Sequence, residues 1–251
     1  MDAERRGVRI PAVFFFSLLL GIHLPAMARD ETPVKKCAGN FGAGLTLTGG
    51  NSSTRSFNLS FEVRVDPKAQ NVMKANGLYL RTSSKAGTTA DKLRLNFRDD
   101  YVLSKRISLY SDLAYLRDPF RNTEYLLNPQ GGLGLRILDL KGTKLSVGFG
   151  AGAVWEKNRG IEVNSRGTLN ANQSFSLKLS GSSRLTQSLT MMRKTRGVMD
   201  ALYHFDTALI TCVVKKIDVK IQFIDDYKSK TPAPTIKNND TTLILSFLFK
   251  F

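Results

Sequence analysis

From Asp240 to Phe251 the chain alternates in polarity: Leu243, Leu245, Phe247, Phe249 and Phe251 fall on one side of an extended backbone. Thr242, Ser246 and Lys250 fall on the other, with Ile244 and Leu248 between them. A period of two predicts a β-strand with one apolar face. The pattern recurs upstream. Phe57, Leu59, Phe61, Val63 and Val65 oppose Asn58, Ser60, Glu62 and Arg64; Leu93, Leu95, Phe97, Tyr101 and Leu103 oppose Lys92, Arg94, Asn96, Arg98 and Asp100. Turn signals divide residues 39–251 into twelve such segments. They are Gly39–Thr48, Ser56–Val65, Met73–Ser83, Asp91–Leu103, Ile107–Leu116, Thr123–Leu138, Lys144–Glu156, Thr168–Ser180, Ser183–Lys194, Asp200–Val213, Ile217–Lys228 and Asp240–Phe251.

An even number of tilted strands with alternating faces is the pattern of a transmembrane β-barrel. The connections sort accordingly. With the N-terminus in the periplasm, the returns on that side (66–72, 104–106, 139–143, 181–182 and 214–216) are short, and the two longest, 157–167 and 229–239, lie opposite. Lipid leaves no partner for an open sheet edge, so the sheet must close. The expectation is all-β: one closed antiparallel transmembrane barrel of about twelve strands, its first segment paired with its last. A charge on the lipid face near mid-bilayer costs roughly 2–4 kcal/mol, so the polar faces should line the lumen. Asp99 and Asp225 fall on the nominally outer face and are expected near an interface or a bulge.

Ahead of the barrel, residues 1–28 read as a secretory signal, with Arg5, Arg6 and Arg9, an apolar run from Val13 to Leu20, and Ala26-Met27-Ala28 for cleavage. Residues 29–38 follow as a periplasmic tail. The expected location is the outer membrane of a Gram-negative envelope. A net charge of +16 raises nucleic acid as a partner, but basic residues recur singly between apolar ones, as in Lys92-Leu93-Arg94-Leu95, which argues against a groove-tracking surface. The expected partners are outer-membrane lipid, lipopolysaccharide phosphates at basic outer loops (Arg159, Arg166, Arg193, Arg196, Lys228, Lys230 and Lys237), and the outer-membrane assembly machinery, for which Leu243 to Phe251 would be the signal.

The run Tyr115-Leu116-Arg117-Asp118-Pro119-Phe120, followed by Gly132-Leu133-Gly134-Leu135-Arg136, resembles a family described as salt-induced outer-membrane proteins, domain of unknown function 481. The resemblance covers about Phe41 to Phe251. It implies an outer-membrane barrel with no established biochemical activity, and it supplies no catalytic residues.

Inward basic candidates are Arg64, Arg81, Lys92, Arg94, Arg98, Arg136, Lys178, Lys194, Lys220 and Lys250; acidic ones are Glu62, Asp100, Asp112, Glu156, Asp206, Asp218 and Asp226. Most should pair, and a basic surplus would favour anions. His204 and Asp206 are two apart on one strand, and a hydrogen-bonded structural pair is the reading favoured over a base with its orienter. An outer-membrane hydrolase using His204 is the enzyme alternative, although an aspartate stands where a serine nucleophile would follow. A soluble periplasmic barrel holding a hydrophobic ligand is the other, and the charged inner faces oppose it. With a single histidine after the leader no metal is expected, and no cofactor. Gly42, Gly44, Gly132, Gly134, Gly148, Gly150 and Gly152 either allow close packing or clear a passage. Cys37 and Cys212 could bridge, pinning the tail across the lower mouth. Trp155, Tyr101, Tyr115, Tyr125 and Tyr203 suit interfacial girdles.

Overall fold

A computed structural model describes residues 37–48, 54–68, 71–195, 200–231 and 236–251. The leader, most of the tail and Arg196 lie outside the described residues. Twelve strands follow in order: β1 (Cys37–Thr48), β2 (Thr54–Lys68), β3 (Asn71–Ser84), β4 (Gly87–Val102), β5 (Ile107–Asp118), β6 (Thr123–Asp139), β7 (Thr143–Asn158), β8 (Asn164–Lys178), β9 (Ser183–Lys194), β10 (Ala201–Val214), β11 (Ile217–Lys228) and β12 (Asn239–Lys250). Each pairs antiparallel with its sequence neighbour, and β1 pairs with β12 through Asn40–Lys250 to Ala43–Phe247, closing the barrel. Closure removes the unpaired edges that an open sheet would present.

The alternation in β12 is realised side by side. Leu243 is 74% exposed and Phe247 52%, whereas Ile244, Ser246 and Leu248 are at most 3% exposed. Phe41, Phe57, Phe61, Leu95, Phe97, Leu109, Leu113, Leu133 and Phe149 join the outer row. A continuous apolar band thus faces away from an interior that gathers the charged side chains together with small apolar clusters such as Leu126, Val154 and Met192, the reverse of a water-soluble sheet. Asp99 and Asp225 each lie three residues before the end of their strands, clear of the middle of that band. Asp99 accepts from Asn71 Nδ2 at 3.4 Å.

Several strands run further than their alternation showed. The connection expected at 157–167 shrinks to 159–163 because β7 continues to Asn158 and β8 starts at Asn164. Backbone pairing continues there through polar sequence, where side chains carry no periodic signal. Pro129 sits inside β6 with no N–H for the ladder. Its neighbour Asn128 turns inward and donates Nδ2 to the Ala153 carbonyl at 2.8 Å, restoring one bond across to β7.

The Arg117–Phe120 motif has a structural purpose. Asp118 caps a single 3-10 turn, Pro119–Arg121, by accepting from the Arg121 N–H at 3.3 Å, and Asn122 ends it in the left-handed conformation (φ 59°). Arg117 points outward to Asp91 at 3.3 Å. The turn brings Arg121 over the barrel mouth, where it donates to the carbonyl oxygens of Asn238 (2.8 Å) and Asp226 (3.3 Å).

Candidate functional site: the barrel interior

Polar side chains from every strand converge on the interior, which holds a cavity of about 940 Å³. Its lining reaches from Arg121 and Tyr227, at the end carrying the longer loops, to Arg106 and Lys144 at the end carrying the short turns. The two ends differ in chemistry.

At the loop end, cations and carboxylates are matched. Lys92 donates to Asp226 at 2.5 Å and Asp240 at 3.2 Å, with Asp118 at 3.7 Å. Arg94 (2.8 Å) and His204 Nδ1 (2.7 Å) reach the other oxygen of Asp226. Beside this cluster Glu156, 3% exposed, accepts from Lys194 at 2.6 Å and from Lys228; Lys194 also holds Asp200 at 3.0 Å. Taking charge out of water costs several kcal/mol per ion, and only close opposite charges with further hydrogen bonds offset it. These networks meet that condition and crowd the mouth.

Toward the turn end Asp100 accepts from Arg98 (2.9 Å) and Lys74 (2.8 Å), while midway Asp112 accepts from Asn96 (3.1 Å) and Gln130 (3.0 Å). Arg98 lies 4.0 Å over the ring of Tyr110, whose hydroxyl accepts from Asn172 Nδ2 at 3.3 Å. Tyr110 crosses above Gly150, where an added Cβ would sit 2.5 Å from the Tyr110 hydroxyl and 2.5 Å from the Gly131 carbonyl oxygen. Gly150 therefore makes room for Tyr110, and Gly148 for Asn172 in the same way, while Gly132 and Gly152 allow close approach of the neighbouring backbone at Phe149 and Pro129; all four fit the close-packing reading.

Asp206 accepts from Gln222 at 2.6 Å in the middle of β10 and β11, and nearer the turn end Lys250 donates to Asp218 at 2.5 Å, and Arg64 and Arg136 pair with Asp66 (3.2 Å) and Asp139 (3.1 Å). Lys220 and Arg184 have no carboxylate within salt-bridge distance among the described residues.

Three expectations need correction. His204 and Asp206 do not bond each other. Residues two apart on a strand are about 7 Å apart, whereas directly opposed neighbours lie about 5 Å apart, so His204 takes its cross-strand partner Asp226. Arg81 is not in the lumen: it opposes Phe57 on β2 and Asp91 on β4, in the outward row. Cys37 and Cys212 are both free thiols. The parity that turns Phe41 outward also turns Cys37 outward, while Cys212 opposes the inward Asp218 two strands beyond β12, and its sulfur accepts from Lys250 at 3.6 Å. Two inward residues were missed. Lys228, on which the eleventh segment ends and which is grouped with the outer-loop charges, turns inward to Glu156, and Arg121 is carried in by the 3-10 turn. Aromatic residues do gather near strand ends, with the Tyr203 and Tyr227 rings 5.9 Å apart.

Residues 41–251 match the family described as protein of unknown function, DUF481. The chain belongs to that family. No curated protein matches it in sequence. Among solved structures this DUF481 barrel is similar to an outer-membrane channel from Pseudomonas putida F1, at 12% identity over 91% of this chain and 100% of that one, with a TM-score of 0.50. It is also similar to the translocator domain of the autotransporter NalP from Neisseria meningitidis (12% identity, 86% and 87% covered, TM-score 0.46) and to the NanC porin (9% identity, 85% and 97% covered, TM-score 0.48). At such identities the likeness is one of fold.

Proposed function

We propose that this DUF481 barrel spans the outer membrane and acts as a narrow solute channel. The observation that carries the reading is the pairing of an outward apolar band with a charged cavity of about 940 Å³ that runs between the two ends of a closed barrel. An apolar exterior of this kind is stable against acyl chains, and charges placed inward are stable only in contact with water or each other. Twelve strands lie between the eight that side chains fill and the sixteen that leave an aqueous channel, so a constricted passage fits. The ion-paired charges that share the interior with Leu126, Met192, Ile210 and Ile224 oppose a purely hydrophobic ligand. His204, already engaged with Asp226 and followed by an aspartate instead of a serine, opposes a hydrolase.

One observation favours a second reading, that of a closed envelope component: ion pairs and the Arg121 hydrogen bonds tie several strands together at the loop-end mouth. Liposome swelling with refolded protein and graded neutral solutes separates the two. Swelling with small sugars supports the channel, and impermeability to all of them leaves the closed barrel. Recovery of the processed protein in solution without detergent would remove the membrane from both readings.

A further inference from the structure

At the turn end the interior adjoins a second cavity of about 310 Å³, which shares Lys144, Ser176, Arg184 and Ile210 with the main one. Its charge is one-sided. Of the cations lining it, Lys250 is held by Asp218, the one carboxylate in its wall, at 2.5 Å and Lys144 lies 4.0 Å from Asp139, whereas Lys178 and Arg184 have no carboxylate within ion-pair distance among the described residues. The register produces this crowding. Lys178 directly opposes Arg184, Arg184 opposes Ile210, and Ile210 opposes Lys220, so β8, β9 and β11 present three cations in one inward row. Like charges directly opposed across a ladder destabilise it. The loop end of the same barrel holds its buried cations in direct ion pairs; in this row Lys220 meets Asp206 and Glu62 only at longer range, and Lys178 and Arg184, both exposed at the mouth, have no carboxylate within ion-pair distance among the described residues.

We propose that the turn-end pocket is a binding site for a small multivalent oxyanion, a polycarboxylate or a phosphate compound. The proposal deepens the channel reading, resting on it for the site's role and naming the solute class. A guanidinium offers forked donors matched to carboxylate and phosphate, and lysines add point charge. A mouth walled by protein focuses that field toward an approaching anion. The volume lies at the small end of ligand pockets, which suits acids of a few carbons over oligomers.

The test is isothermal titration of refolded full-length protein, in uncharged detergent at low salt, with citrate, pyrophosphate and maltose. Citrate or pyrophosphate should bind and weaken as salt rises, and maltose should not. Which anion binds more tightly separates carboxylate from phosphate chemistry. The double variant Lys178→Gln/Arg184→Gln should bind at least tenfold more weakly, Arg184→Lys should retain part of the affinity, and Lys157→Gln/Arg159→Gln at the opposite end should bind as wild type. Heat-modifiable gel migration reports whether each variant is folded; if the double variant is not, Lys178→Gln alone carries the comparison. No heat with either anion, or equal binding by wild type and the Lys178/Arg184 variants, overturns the proposal. Anion binding without liposome swelling keeps the site and removes the channel; swelling without anion binding does the reverse.

Discussion

Replacing Glu156 by glutamine preserves shape and removes one negative charge from the loop-end network. Glu156 accepts from both Lys194, at 2.6 Å, and Lys228, and it is 3% exposed. At an effective dielectric of about 20 the direct attraction at that distance is roughly 6 kcal/mol, most of it offset by the desolvation of both partners. What the substitution exposes is the uncompensated remainder. Breaking a buried pair typically costs about 3–5 kcal/mol, because the partner charge stays behind. Lys194 keeps Asp200 at 3.0 Å, so the orphan is chiefly Lys228 and the cost falls near the lower figure, about 3 kcal/mol. That is roughly a hundredfold in the folded-to-unfolded ratio. Trp155, the chain's one tryptophan, neighbours the site, so its emission during urea unfolding of the refolded protein follows the change. Adding Lys228→Met to Glu156→Gln should restore part of the loss by removing the stranded ammonium. A loss below about 1 kcal/mol, with no recovery in the double variant, would refute the reasoning and mean that water solvates the cluster.

Further expectations follow from other parts of the barrel. Leu245→Arg, in the exposed row of β12, should cost roughly 2–4 kcal/mol in bilayer refolding, whereas Thr242→Arg, inward on the same strand, should cost much less; equal costs would contradict the assigned faces. Gly150→Ala drives a methyl into the Tyr110 hydroxyl and the Gly131 carbonyl and should lose about 1–3 kcal/mol in the same assay, while an unchanged midpoint would mean Tyr110 lies elsewhere. Lys92→Gln combined with Asp226→Asn should raise single-channel conductance if the loop-end network narrows the passage, and unaltered conductance would place the constriction deeper. Denatured protein prepared without reductant should take up two equivalents of a thiol reagent, and none, with two recovered after reduction, would restore the bridge between Cys37 and Cys212.

Strand number, order and faces were legible in the sequence because two solvents act on one extended chain. Where lipid-facing and inward residues differ strongly in polarity, as in Leu93-Arg94-Leu95-Asn96-Phe97, the period of two leaves one choice of face. β3 lacks that contrast: its inward row includes Leu78 and Leu80, its outward row Gly77 and Arg81, and Arg81 was accordingly placed on the wrong side. Near strand ends the alternation fades, so the far end of β7 and the start of β8 read as loop, and Lys228 at the end of β11 gives no sign of which way it turns.

Partner choice belongs to tertiary structure. The sequence by itself determined that this chain forms a closed sheet with an apolar outside and a charged inside, since alternation is a local property that each strand carries alone. Which charges meet depends on how neighbouring strands slide against one another. That register gave Asp226 to His204 instead of Asp206, set Glu156 between Lys194 and Lys228, and stacked Lys178 against Arg184 with no carboxylate between them. Ion pairing acts over a few ångströms across the ladder, between residues far apart in the chain, so nothing in any single strand could announce it.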